Sequence, residues 1–518
     1  MYLVTAAEMQ MLDRLTIESF GLPGRVLMEN AGREAVRVFL THFAQAARNG
    51  VGVVAGRGNN GGDGFVMARG LAQAGYPVRV YLLGTADRVT GDAAANLKLL
   101  APLSVPVVEV PDEAAFSRHQ REMRDVAVWV DAILGTGLTA AVKGFFRSVI
   151  EFINQRERPV FSVDIPSGLR ADTGQVDGAC IRATATVTFG YAKIGHALFP
   201  GAEFTGRLEV VDIGIPPHIA EHIRPHHFLL TAADVRGNFS PRPADAHKGR
   251  TGHLLVVAGS PGKTGAAAMT ATAALRVGAG RVTLGVARGL HPILQTLVLE
   301  AMTEPLPETG SGSLGHAARD AILQLTAGKS CLAIGPGLGQ DPETGELVAE
   351  LVRRSPLPLV IDADGLNHLA GRLEIFKGLA VQTVLTPHPG EMARLTGASI
   401  SAVQQDRIAC ARDLAVALNL HVVLKGARTV IAHPDGSVYV NPTGNPGMAS
   451  AGMGDVLTGM IAGLIAQGMR PDTAARTAVY LHGAAADTLS RTIAPYGFLA
   501  GEVAQALPGE IARLLRKD

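Results

Sequence analysis

The chain has 518 residues, 47% of them hydrophobic, and its 47 Lys and Arg nearly cancel its 46 Asp and Glu. That length exceeds one ordinary domain, and a net charge of +1 gives no electrostatic reason to bind nucleic acid or an anionic membrane. Its 61 glycines, free of low-complexity repeats, suit the tight strand-to-helix turns of α/β enzymes, while Cys180, Cys331 and Cys410 are spaced for neither a disulfide framework nor zinc.

The first residues, MYLVTAAEMQMLDR, lack the basic-then-apolar layout of a signal peptide. The longest apolar stretch, VLTGMIAGLIAQGM (456–469), is too short and too rich in glycine to span a bilayer. A cytoplasmic protein with no membrane partner is expected.

Short β-branched runs then alternate with amphipathic segments. VGVVA (51–55), VRVYLL (78–83), VPVVEV (105–110), VAVWVDA (126–132), VFSVD (160–164) and ATVTFG (185–190) predict strands. Patterns such as GFVMARGLAQAG and KGFFRSVIEFINQ predict helices between them. Continuous apolar strands separated by helices imply a parallel sheet covered on both faces. The rhythm pauses at GIPPHIAEHIRPHHFLL (214–230), where proline is expected to block regular structure. We place a domain boundary there, between 222 and 223. HLLVVAG, GRVTLGV, CLAIG, LPLVID, VQTVLT and HVVLKG repeat the same grammar in the second half, which ends in several helices.

In the first half, Gly56, Gly58 and Gly61 form G-x-G-x-x-G directly after a strand. The strand ending at Leu83 carries no acid at its tip for a ribose hydroxyl, so the dinucleotide fingerprint is half met. Asn59, Asn60 and Asp63 follow one strand, Asp131 ends another and Asp164 a third. Any one aspartate there could simply cap the next helix; three together at strand ends predict a site. Asn60, Asp131 and Ser167 offer amide, carboxylate and hydroxyl oxygens, a set suited to a monovalent cation rather than a transition metal. Asp164 is then the best general acid or base.

LMENAG (27–32), GNNGGDG (58–64), DAILGTGL (131–138) and DIPSG (164–168) resemble the NAD(P)HX epimerases, in that family's order. The resemblance implies a Rossmann-like αβα sandwich and K+ held by Asn60, Asp131 and Ser167. It also implies a pocket for damaged nucleotide over Asn59, Asn60, Gly61, Gly62 and Asp63. Gly135, Thr136, Gly137, Leu138, Thr139, Ala140 and Ala141 complete that pocket, with Asp164 in catalysis.

The second half opens with GSPGKTG (259–265), which looks like a phosphate-binding loop with a piece missing. G-x-x-x-x-G-K-[ST] needs a glycine where Val257 stands. GNPGMASAGMGDVLTG (444–459) places Gly452, Gly454 and Asp455 at the start of an apolar helix, whose first amides can hold a phosphate. Asp455 beside them can take a proton from a hydroxyl, or can be an ordinary N-cap. VVLKGARTVI (422–431) predicts a strand, a basic turn and a strand; Lys425 and Arg428 there either bind phosphate or form a solvated hairpin tip. TPHPGE (386–391) sets His388 and Glu391 at a helix entrance, where a histidine caps more often than it ligates.

These segments, with GPGLG (335–339) and IDADGLN (361–367), resemble the ADP/ATP-dependent NAD(P)HX dehydratase branch of the ribokinase-like superfamily, over about 226–510. The resemblance implies that Lys425, Gly426, Ala427, Arg428 and Thr429, with Gly454, hold ADP or ATP with Mg2+. Asp455 takes the catalytic-base position, and Ala266, Gly339 and His388 line the hydrated-substrate pocket. The near-miss loop then lies on the substrate side. Ala451 and Glu502 depart from the family pattern, and Glu502 is given no site role. The whole chain thus reads as an epimerase (1–222) fused to a dehydratase (223–518), a homo-oligomer whose partners are NADHX, NADPHX and ADP. A small-molecule kinase carrying a non-catalytic binding module at its N-terminus is the alternative.

Overall fold

The computed structural model describes residues 1–516. The chain falls into two compact units, Tyr2–His227 and Phe228 onward together with Met1.

The first unit is built on a seven-stranded parallel sheet. Its strands lie in the order Val107–Glu109, Val78–Leu82, Val51–Ala55, Val128–Ala132, Val160–Val163, Ala185–Phe189, Arg207–Val211. Alternate residues feed two cores. Val53, Val130 and Phe161 pack under helices Gly24–Ala47 and Asn59–Gln73. Val54, Tyr81 and Trp129 pack under Glu113–Met123 and Gly144–Asn154. Chain direction across the sheet reverses between Val51–Ala55 and Val128–Ala132, so the turns after these strands open a crevice. The turn after the first is drawn in tightly. A Cβ at Gly61 would stand 2.0 Å from the Gly56 carbonyl oxygen, so only glycine fits. The strand Tyr2–Val4 pairs in parallel with Ala192–Lys193. It leads into helix Ala6–Glu18, started by a Thr5–Glu8 capping box.

Proline does not block structure at the expected pause. Pro217 occupies the first turn of a short helix, Pro217–Ile223, where its missing N–H has no intrahelical acceptor to lose.

The second unit repeats the doubly wound plan. Met302–Leu306, Arg281–Ala287, His253–Val257, Cys331–Ile334, Leu359–Ile361, Thr383–Leu385 and His421–Leu424 run parallel. Val430–Ala432 and Val438–Val440 continue the sheet antiparallel, so 425–429 is a hairpin turn. Helix Met453–Ala466 is buried along nearly its whole length. Among the described residues no helix is long and apolar enough to cross a membrane.

Candidate active sites

In the first unit a cleft of about 780 Å³ opens over the reversal point of the sheet. Asn59, Asn60, Asp63, Gly135, Thr136, Gly137, Leu138, Thr139, Ala140 and Asp164 line it. Gly61 and Gly62 do not; they are buried behind it in the first turn of Asn59–Gln73, and Ala141 follows the lining segment. Asp164 sits just past its strand in a left-handed conformation, φ 64°, that a non-glycine residue adopts at a cost and that is common at functional sites. Its carboxylate accepts from Lys193 Nζ at 2.5 Å and from Thr188 Oγ1 at 3.0 Å. Lys193 is fully buried. Burial alone would raise the Asp164 pKa, but the Lys193 charge and hydrogen bond outweigh it and hold the group below the usual carboxylate range. A carboxylate that is ionised at neutral pH therefore faces the cleft.

Asp131 and Ser167 lie beneath this floor, fully buried. The Asp131 carboxylate accepts from Ser167 Oγ at 2.5 Å, Ser167 N at 2.9 Å and Ser162 Oγ at 2.8 Å. Ser167 Oγ also accepts from Leu134 N at 2.8 Å, and Asn60 Nδ2 donates to Leu134 O at 3.0 Å. That leaves Asn60 Oδ1 buried with no hydrogen-bond donor. A buried carbonyl oxygen without a partner is costly, and here the Asn60 amide sits against the turn at Ile133 and Leu134, whose N–H groups donate to Asp131 and Ser167. The donor set is all oxygen with one formal negative charge, which fits a monovalent cation.

The second unit gathers its charged groups around Lys425. Rather than forming a solvated hairpin tip, the side chain turns inward, donating to Asp362 Oδ1 at 2.6 Å with Glu391 Oε2 at 3.8 Å. Burial pulls its pKa down, yet Asp362 and Glu391 outweigh that and hold it above the ordinary lysine value. Thr458 Oγ1 donates to the other Asp362 oxygen at 2.7 Å. Gly454, in the first turn of Met453–Ala466, abuts the pair: a Cβ there would stand 3.2 Å from Lys425 Nζ. Asp455 follows it. Burial, then the neighbouring Asp362 charge, raises its carboxyl to about 7 against the pull of Lys425, which suits a general base at neutral pH.

The rest of 425–429 serves this arrangement differently. Arg428 is also left-handed, φ 57°, and donates to Pro442 O at 2.9 Å. Thr429 Oγ1 donates to Gly426 O at 3.0 Å. Behind the turn, buried Arg407 donates to the carbonyls of Ala427 at 2.5 Å, Leu424 at 2.9 Å and Lys425 at 3.2 Å, which fixes its backbone. His388 caps Pro389–Thr396: its Nδ1 accepts from Gly390 N at 3.0 Å, and Glu391 closes the capping box. Ala266 lies in the first turn of helix Thr264–Arg276 and Gly339 in the loop after strand Cys331–Ile334; a Cβ at Gly337 would stand 2.9 Å from that of Ala266. Lys263, in the near-miss loop, pairs with Asp364 Oδ2 at 2.9 Å. Glu502 accepts from Leu499 N at 2.6 Å as a helix cap. Lys193, Asp362 and Arg407 are the residues that sequence reasoning missed. No pattern marks a lysine or arginine as buried, although Asp362 lay inside a motif already singled out.

Two α/β units, one with an ionised Asp–Lys pair at a cleft, the other with a glycine helix start, a lysine and a neutral-range carboxylate, define a two-site nucleotide-handling enzyme. Residues 24–195 match the family described as YjeF-related protein N-terminus, and 254–509 match that described as NAD(P)H-hydrate dehydratase. The chain is 48% identical over 509 residues to the bifunctional NAD(P)H-hydrate repair enzyme Nnr of Moorella thermoacetica, covering 98% of this chain and 96% of that one. It is 40% identical to the enzyme of the same name from Thermofilum pendens, covering 100% and 97%. The chain belongs to the family of bifunctional NAD(P)H-hydrate repair enzymes. The crystal structure of ADP/ATP-dependent NAD(P)H-hydrate dehydratase from Bacillus subtilis, co-crystallised with ATP and Mg2+, is 33% identical, with a TM-score of 0.48, over 55% of this chain and 98% of that one.

Proposed function

We propose that this chain repairs hydrated NADH and NADPH: residues 1–222 interconvert the R and S epimers, and 223–518 dehydrate the S form back to the reduced nucleotide. The observation that carries the reading is Asp455, a carboxylate near neutrality in the glycine turn where Lys425 converges. Hydration leaves a hydroxyl on the carbon beside the ring nitrogen, and hydroxide is a poor leaving group. Asp455 takes the proton of that hydroxyl, whose oxygen attacks the terminal phosphorus of ADP, releasing AMP. The first-turn amides of Met453–Ala466 and the Lys425 ammonium stabilise the charge on the moving phosphoryl group. The ring-nitrogen lone pair then expels phosphate, a neighbouring C–H proton is lost, and the double bond returns.

Mg2+ accompanying ADP would neutralise phosphate charge; Asp362 and Glu391, which already gather the Lys425 ammonium, are the oxygen donors at hand. In the first unit Asn60, Asp131 and Ser167 would hold K+, a fixed positive charge under the cleft. ATP would use the same phosphate contacts as ADP. The chain acts on NADHX and NADPHX in the cytoplasm, as a homo-oligomer.

Purified protein given hydrated NADH, ADP and Mg2+ should restore the near-ultraviolet absorbance of reduced nicotinamide and release phosphate. A stable phosphorylated product would instead favour a small-molecule kinase. Lys263 should matter little to the nucleotide, because its ammonium is already engaged with Asp364 and is not part of the Lys425–Gly454 cluster. Lys263→Ala should leave ADP affinity unchanged by calorimetry.

A further inference from the structure

Asp13 is a part-buried carboxyl that neither half of the proposed chemistry has used. It lies on helix Ala6–Glu18, which lines the first-unit cleft with Met9, Gln10, Asp13 and Ile17. Positions 9, 13 and 17 are spaced i, i+4, i+8 and so form one stripe down the helix. The helix packs through Met9, Leu12 and Thr16, whereas Asp13 and the exposed Ile17 are turned to the cleft, so packing gives no reason for the acid. Its carboxyl accepts no hydrogen bond from any described residue. The charged groups lining the cleft around it are Arg57, Asp63, Asp92, Asp164 and Lys193, with His196 just behind Lys193.

We propose that Asp13 is the general acid of epimer exchange, giving its proton to the departing hydroxyl while Asp164 accepts one from the water that replaces it. The inference rests on the first unit being the epimerase. The C–O bond breaks as the ring-nitrogen lone pair forms C=N, and the oxygen leaves as water, carrying its own hydrogen and the proton from Asp13. A second water adds to the opposite face; its oxygen bonds the carbon, the C=N pair returns to nitrogen, and the extra proton passes to Asp164. The net transfer of one proton from Asp13 to Asp164 is reversed through solvent before the next turnover.

The two carboxyls are tuned apart, as an acid–base pair requires. Burial raises Asp13 to about 6, against the pull of Lys193 and with a further push from Asp164. Asp63 is raised as well, chiefly by burial, and lies deeper, in the turn behind Asn59 and Asn60. Asp164 is held ionised by Lys193. The active form thus carries Asp13 protonated and Asp164 charged, and it is lost as pH rises through about 6.

The test follows the full-length protein interconverting chromatographically resolved epimers of hydrated NADH in oxygen-18 water, without ADP so that dehydration is silent. Oxygen-18 should enter the hydroxyl at the rate of inversion, and kcat/KM should fall about tenfold per pH unit above the Asp13 pKa. Asp13→Asn should slow exchange about 100-fold or more and flatten that limb, and Asp13→Glu should restore part of both. Inversion without oxygen exchange in the unmodified protein overturns the proposal, whether or not Asp13→Asn folds. An Asp13→Asn protein with unchanged rate and pH limb overturns it too. If the unmodified protein never interconverts epimers, the epimerase reading itself falls, and Asp13 with it.

Discussion

Asp455→Asn should lower dehydration turnover by about 10²–10⁴-fold, the usual contribution of a positioned general base, while leaving ADP binding intact. The amide keeps the shape of the carboxylate and cannot take a proton. The unmodified enzyme should show the complementary pH signature. In the proposed mechanism only ionised Asp455 is competent, so kcat/KM should climb about tenfold per pH unit on the acid side of its pKa and level off above about 7. A second consequence concerns stability. A carboxyl whose folded pKa is raised from 3.8 to about 7 binds its proton more tightly in the folded state than in the unfolded chain. Folding therefore loses stability as pH rises through that window, with a ceiling on the order of 4 kcal/mol above it. Asp455→Asn removes the loss. Its melting temperature should exceed that of the unmodified protein at about pH 8, and the difference should shrink towards pH 4. A variant that loses activity and also melts lower at alkaline pH would mean that Asp455 holds the helix start rather than working as a base.

Much of the architecture was legible because it follows from local rules. The runs VGVVA and VRVYLL are strands because β-branched residues fill both faces of a covered sheet, and the glycines of GNNGGDG sit where backbones nearly touch. The site was legible as far as its strand tips and helix starts. Asn60, Asp131, Asp164 and Asp455 stand at such places, where chain position alone fixes the surroundings. Partners that arrive from elsewhere in the chain were not legible. Lys193 reaches Asp164 from 29 residues away and Lys425 meets Asp362 across 63, and nothing near either lysine says that its charge is buried. Arg407 lies on a helix whose weak amphipathic pattern gives no inward face to read, so its grip on 425–429 appears only in three dimensions. The proline pause at 214–230 misled for a different reason. Pro217 stands at a helix start, the one helical position where its missing N–H costs nothing.

Lys425→Met should be the most damaging single change in the second unit. Met fills much the same space, so packing is largely kept and the effect comes from charge. Asp362 is 1% exposed and has Thr458 as its remaining donor, so removing Lys425 strands a buried carboxylate. Breaking a buried pair on one side costs about 3–5 kcal/mol, mostly from the charge left behind. Thermal melting should reveal this as an early transition of the second unit. Asp455 should respond too. Lys425 is the cation that lowers its pKa, so without it the acid limb of residual activity should move above about 7. The double variant Lys425→Met, Asp362→Asn separates the two roles. Neutralising the stranded acid should recover most of the lost stability, since a neutral pair of similar volume can replace a buried ion pair with little penalty. It should not recover ADP affinity or turnover, because the ammonium we propose for the phosphates stays absent. If the double variant regained both, Lys425 would be a structural counter-ion for Asp362, and the nucleotide would have to be held elsewhere.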